Sequence, residues 1–192
     1  GNDGVIAVLV DVARALCEEV ASVGAVGVGV PGLVDSSGVL RVAPNVAAVR
    51  DLDVRTQLAE HLGLPVMVDN DATAACWAEH ELGAARGADD CILVTLGTGI
   101  GGGVVSNGKL VRGAHGFTGE FGHMIVDVDG PRCVCGQRGC WERYASGNGL
   151  AWLAREAAGA GRAGSVLALA GGDVDAVRGE HVTLAAARGD AE

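Results

Sequence analysis

Residues 91–111 read CILVTLGTGIGGGVVSNGKLV, and this stretch decides whether the chain carries a dinucleotide-binding helix or a hairpin-rich sheet. Gly97, Gly99 and Gly102 match the spacing of a dinucleotide fingerprint, and an acidic residue, Glu120, follows at a suitable distance. In that fold, however, the glycine turn opens a helix whose N-terminus faces the pyrophosphate. Here an apolar strand runs into the glycines, a second strand leaves them, and the Asn107-Gly108 turn signal introduces a third. That context excludes the dinucleotide reading. Two remain: a turn whose backbone N–H groups and Thr98 hydroxyl cradle a phosphate, or a plain glycine-rich hairpin.

Upstream, apolar residues at Ile6, Leu9, Val10, Ala13, Leu16 and Val20 have helical spacing, so residues 5–20 are expected to form a helix. SVGAVGVGVPG (22–32) then reads as a buried strand closed by a Pro-Gly turn, and LVDSSGVLRVAPN (33–45) as two short strands around Ser-Ser-Gly. A helix over 52–62, the strand PVMVDN (65–70) and a helix from Ala72 to Gly83 complete an order of helix, strand, hairpin, helix, strand, helix. The small polar connection at 83–90 suggests a boundary, with residues 1–86 and 87–192 in separate lobes. Past the cysteine-rich region, a helix capped by Ser146 is expected, followed by a small-residue loop; residues 182–192 read as the start of another helix.

Composition narrows the functional classes. The 192 residues are 49% hydrophobic and only 3% aromatic, with 32 glycines, so an α/β core of small aliphatic side chains is expected. A formal charge of −10 argues against a broad nucleic-acid or anionic-membrane surface, and no apolar run is long enough to span a bilayer. A cytoplasmic protein acting on small molecules is the expectation. Both ends read as cut, since no Met opens the chain and helical patterns begin and end it.

Two further clusters carry chemistry. Asp69, Asn70 and Asp71 fall at the C-terminal end of a strand, where α/β sheets bind ligands and a carboxylate can take a proton from a hydroxyl. The plainer alternative is that Asp71 caps the following helix. Glu79, on the same helix, can equally be a solvated side chain. His123, Cys133, Cys135 and Cys140 form a Cys₃His set with four glycine or proline positions among them, which suits structural zinc; ordinary thiols or a disulfide pair are the alternatives. Cys17, Cys76 and Cys91 fall in helix or strand patterns and are expected to be buried apolar groups.

In order and spacing, GVGVPGLVD (27–35), APN (43–45), NDA (70–72), LGTGIGGG (96–103), GEFGH (119–123) and CVCGQRGCWERYASG (133–147) resemble the ROK family of sugar kinases and repressors, its zinc-containing glucokinases above all. The resemblance runs from about residue 4 to the end and is looser over the last forty residues. It implies an actin-like ATPase, ribonuclease-H-like sugar kinase fold with two lobes, incomplete at both ends here. Residues 1–86 would be the latter part of the small lobe and 87–192 the first part of the larger one.

The resemblance also implies roles. Asp71 would be the catalytic base for the 6-hydroxyl of glucose, with Asn45, Asn70, Glu120, His123 and Glu142 binding the other hydroxyls. Gly97, Thr98, Gly99 and Gly101 would face the ATP phosphates, accompanied by Mg²⁺. His123, Cys133, Cys135 and Cys140 would hold structural zinc, His123 using one ring nitrogen for metal and the other for sugar. The family's Asp-x-Gly-Gly-Thr motif and its later adenosine-flanking glycines are absent from this sequence, so this chain alone is expected to turn over little. A homodimer or homotetramer is implied. Kinases of N-acetylglucosamine or N-acetylmannosamine keep nearly all these motifs, and a sugar-responsive repressor shares the domain.

Overall fold

The computed structural model describes residues 1–43, 46 and 49–190; Asn45 lies outside the described residues. Two compact units are present, residues 1–93 with 102–119, and residues 94–101 with 120–192.

In the first unit, α1 (Asn2–Glu18) buries Ile6, Val10 and Ala13 at helical spacing. Ile6 and Val10 join one apolar cluster with β1 (Val26–Val30) and β5 (Val66–Asn70). Those two strands pair in parallel, Val26 opposite Val66 and Val30 opposite Asn70, so the Pro-Gly turn and the Asp-Asn-Asp segment leave the same end of the sheet. β2 (Leu33–Val34), β3 (Val39–Val42) and β4 (Arg50–Asp53) form an antiparallel meander. The last of these is not anticipated from the sequence, because RDLD offers one apolar residue; Leu52 is nonetheless almost fully buried. Asp53 therefore ends a strand and caps α2 (Val54–Leu62), its Oδ1 accepting the Thr56 N–H at 3.0 Å, so this helix starts later than its apolar pattern suggests.

The β2–β3 turn is knotted around Asp35. Its Oδ1 accepts from Ser37 N–H (2.9 Å), Ser37 Oγ (2.6 Å) and Val39 N–H (3.1 Å), and its Oδ2 from Arg41 Nε (2.8 Å). Burial pushes this carboxyl's pKa up, but the bonds from Ser37, Val39 and Arg41 outweigh it and bring the pKa down to about 2.

Next come α3 (Asp71–Leu82), β6 (Cys91–Leu96), β7 (Ile100–Ser106) and β8 (Lys109–Leu110), the strands lying in the order β6, β7, β8. The Asn-Gly signal is a true hairpin turn, with φ of 50° at Asn107 and 67° at Gly108. Gly103 lies so close to Cys76 that no side chain would fit there, which seats α3 on β7. Cys76 is fully buried, whereas Cys17 and Cys91 are only half-buried, correcting the expectation for those two. Glu79, exposed along its helix, is not merely solvated: its Oε2 accepts the Ala84 N–H at 2.7 Å just past the C-terminus of α3.

The second unit holds a 3-10 turn (Phe121–His123), α4 (Glu142–Ala145), α5 (Gly147–Gly159), α6 (Gly164–Leu169) and α7 (Gly179–Ala187). Ser146 caps α5 as expected, its Oγ accepting the Gly149 N–H at 2.9 Å. The region after α5 is more helical than its small residues suggest, because Ala154, Ala163, Val166, Val177 and Ala185 bury one another. α7 is a completed helix rather than a beginning one, with Gly189 at φ 92° beyond its end.

Candidate functional site

At the C-terminal end of β5 the structure separates the two roles that the sequence left open for Asp71. The cap of α3 is Asn70, whose Oδ1 accepts the Thr73 N–H at 3.0 Å. Asp71 is instead the first helical residue and is exposed, and its Oδ1 is bonded only to the next N–H, that of Ala72, at 2.9 Å. Room for it comes from Gly29 on β1, where a methyl group would lie 3.3 Å from the Asp71 Cα. Asn70 Nδ2 also donates to the Gly32 carbonyl at 3.1 Å, so this amide joins the helix start to the Pro-Gly turn and keeps one hydrogen and one lone pair for a ligand.

Asp69 has a partner that the sequence gave no sign of. Arg112, just past β8, donates to its Oδ2 from Nε at 3.0 Å and Nη2 at 2.8 Å, while Asp69 Oδ1 accepts the Asn70 N–H at 3.0 Å. The segment that Arg112 begins is further fixed by Gly116, whose φ is 92° and where a side chain would run into the backbone of residues 34–36.

In the second unit, the glycine turn between β6 and β7 is held by residues 142–148. Glu142 Oε2 accepts the Ile100 N–H at 2.8 Å, Gly147 N–H donates to the Gly97 carbonyl at 2.8 Å, and Asn148 N–H to the Thr98 carbonyl at 3.2 Å. The N–H groups of Gly97 and Gly101 are also committed, to the Gly99 carbonyl (3.0 Å) and Thr95 Oγ1 (3.1 Å). An anion at this turn would thus meet the N–H groups of Thr98 and Gly99 first, not those of Gly97 and Gly101.

The Cys₃His set converges. One ligand atom from each of His123, Cys133, Cys135 and Cys140 lies within 4.8 Å of every other. Cys135 and Cys140 Sγ are 3.5 Å apart, and Cys133 Sγ is 3.6 Å from His123 Nδ1. Sulfurs bound at about 2.3 Å around a tetrahedral ion stand about 3.8 Å apart, so the four groups fit zinc. A tight knuckle presents them: Cys133 N–H donates to Gln137 O at 2.8 Å, Gly136 N–H to Cys133 O at 3.0 Å, and Gly136 and Gly139 have φ of 92° and 65°. Burial and the neighbouring thiols push the Cys140 thiol up to about 12, whereas the Gln137 N–H and the other two thiols draw the more exposed Cys135 down against the effect of burial. With Nδ1 turned toward the sulfurs, His123 leaves Nε2 at 3.7 Å from Glu120 Oε2, on the side away from the cluster.

The model of the ROK family matches residues 3–191. A glucokinase of Streptomyces coelicolor is 42% identical over 168 residues, which cover 86% of this chain and 53% of that protein. A xylose repressor of Bacillus subtilis is 45% identical over 129 residues, covering 66% of this chain and 33% of the repressor. Among solved structures, a ROK family glucokinase from Streptomyces griseus in complex with glucose and AMPPNP superimposes with a TM-score of 0.78 at 43% identity, covering 95% of this chain and 60% of that one. The chain thus spans about half the length of the glucokinases it matches, and its α/β fold is of the actin-like ATPase class.

Proposed function

The chain belongs to the ROK family, and on that premise we propose that it forms the sugar- and phosphate-handling part of a glucokinase that transfers a phosphoryl group from ATP to the 6-hydroxyl of glucose. The observation that carries this reading is Asp71: a carboxylate at the end of a parallel strand, exposed, and relieved of capping by Asn70. Asp71 accepts the proton of the attacking hydroxyl, and the Thr98-Gly99 turn faces the phosphates. Asn45, Asn70, Glu120, His123 and Glu142 bind the remaining hydroxyls.

His123, Cys133, Cys135 and Cys140 would hold zinc, which supplies a fixed ring orientation for His123 and leaves its Nε2 for the sugar. Magnesium accompanying the nucleotide supplies charge neutralisation at the phosphates. Among the described residues no helix is long and apolar enough to cross a membrane, and the reading implies a cytoplasmic homodimer or homotetramer.

The test is ADP release by the full-length protein, supplied with magnesium and ATP and offered glucose, mannose, N-acetylglucosamine or N-acetylmannosamine in turn. Release with glucose that disappears in Asp71→Asn supports the reading. Release only with an N-acetylated hexosamine transfers the assignment to that kinase, and no release from zinc-loaded, folded protein favours a sugar-responsive repressor, the class of the xylose repressor relative.

A further inference from the structure

Glu142 sits at the start of α4, two residues after Cys140, and its carboxylate does not simply await a ligand. Oε2 accepts the Ile100 N–H at 2.8 Å, at the point where the glycine turn enters β7. The same oxygen lies against Gly99. Gly99 is not among the residues with positive φ, so its backbone does not demand glycine, yet a methyl group there would stand 2.5 Å from Glu142 Oε2. Among the described residues, its chain neighbours aside, the Glu142 Cδ at 3.4 Å is the one further heavy atom near that position. A methyl group at Gly99 would therefore push the end of the Glu142 side chain off the position from which it accepts the Ile100 N–H.

The rest of the segment reinforces the bond. Gly147 and Asn148 donate to the carbonyls of Gly97 and Thr98, and Ser146 Oγ donates to the Glu142 carbonyl at 2.7 Å while capping α5. Glu142 thus has one oxygen on the turn and the other left for a sugar hydroxyl.

We propose that Glu142 is a positioning residue for the phosphate-binding turn as well as a sugar contact, so that one carboxylate couples occupancy of the sugar site to the shape of the nucleotide site. This rests on the kinase reading given above. If sugar draws on Oε1, it reorients the carboxylate whose Oε2 sets the Ile100 N–H, and by linkage the nucleotide must in turn change the affinity for sugar by the same factor.

The experiment is calorimetry on full-length, zinc-loaded protein, titrating AMPPNP with magnesium in the absence of sugar, and glucose in the absence of nucleotide. Glu142→Ala is expected to weaken AMPPNP about tenfold, the loss of one charge-assisted hydrogen bond at the turn. Glu142→Gln, whose amide oxygen can still accept from Ile100, stays within about twofold of wild type for AMPPNP. Gly99→Ala, although placed in the phosphate turn, weakens glucose several-fold with no nucleotide present. In the Glu142→Ala background Gly99→Ala adds little further loss of AMPPNP affinity, because the group it collides with is gone.

Unchanged AMPPNP affinity in Glu142→Ala, or unchanged glucose affinity in Gly99→Ala, overturns the coupling. So does an equal loss of AMPPNP affinity from Gly99→Ala in both backgrounds, which would assign its effect to direct obstruction of phosphate. Should wild-type protein bind AMPPNP but no hexose, the kinase reading fails, and the AMPPNP titrations of Glu142→Ala and Glu142→Gln still decide whether Glu142 sets the turn.

Discussion

Arg112 reaches back 43 positions along the chain to place two guanidinium nitrogens on one oxygen of Asp69, Nε at 3.0 Å and Nη2 at 2.8 Å. Asp69 stands two residues before Asp71, and Arg112 opens the segment that leads to Glu120. The ion pair therefore anchors the end of β5 to that segment. A half-exposed pair of this kind adds only about 1 kcal/mol to stability, so its consequence is expected mainly in positioning.

Arg112→Ala should accordingly lower glucose-dependent turnover about tenfold while shifting the melting temperature by only a few degrees. Arg112→Lys should recover part of the loss, since an ammonium cannot reproduce the two-nitrogen approach of the guanidinium. Steady-state kinetics beside a thermal melt checks this, and turnover equal to wild type in Arg112→Ala rejects the anchoring role.

Asn70 and Asp71 should fail differently. Asn70→Ala removes the cap of α3 and the bond to Gly32, and is expected to cost about 1–2 kcal/mol of stability. Asp71→Asn removes the proposed proton acceptor but no cap, so stability should stay within about 0.5 kcal/mol while turnover falls by a factor of about a hundred or more. Urea denaturation compared with single-turnover rates separates the two.

Protein purified without added metal is expected to carry one zinc per chain. Removing it with a strong chelator should lower the melting temperature by about 5 °C or more, because three sulfurs and an imidazole are then left crowded without the ion that joins them. Metal analysis combined with melting curves checks this; a chelated protein that melts like the untreated one would count against a structural metal.

Acid should loosen the β2–β3 turn. The folded state holds the Asp35 carboxyl at about 2, below the ordinary carboxylate value of 3.8, so protons bind the unfolded chain first as the pH drops. The stabilisation from Asp35 is complete above about pH 4 and is lost as the pH falls through about 2, a change on the order of 1–2 kcal/mol. The difference in urea midpoint between wild type and Asp35→Asn, measured at pH 5 and again near pH 2.5, should shrink accordingly.

Much of the fold was legible because local pattern carries it. Apolar spacing located α1, β1, β5 and β6; the Asn-Gly pair located the β7–β8 hairpin; and Ser146 announced α5. β4 was hidden because a strand with charged residues at three of its four positions is stabilised by pairing with β3 and by the burial of Leu52 alone. α6 was obscured for a related reason, since alanines and valines bury one another there without an amphipathic pattern strong enough to read along the chain, and α7 was read from residue 182 although it begins at Gly179.

Sequence alone determined the inventory of the candidate site: the Asp-Asn-Asp segment, the glycine turn, the three cysteines with His123, and the order in which they occur. Tertiary structure decided how those groups are used. It joined Asn70 at the start of α3 to the Gly32 carbonyl, brought Arg112 to Asp69, tied Glu142 to Ile100, and gathered four ligand atoms within 4.8 Å. The physical reason is range. Turn and cap preferences act over two to four residues and leave their mark in local sequence, whereas a hydrogen bond between residues 42 or 43 positions apart exists only once the chain has folded back on itself.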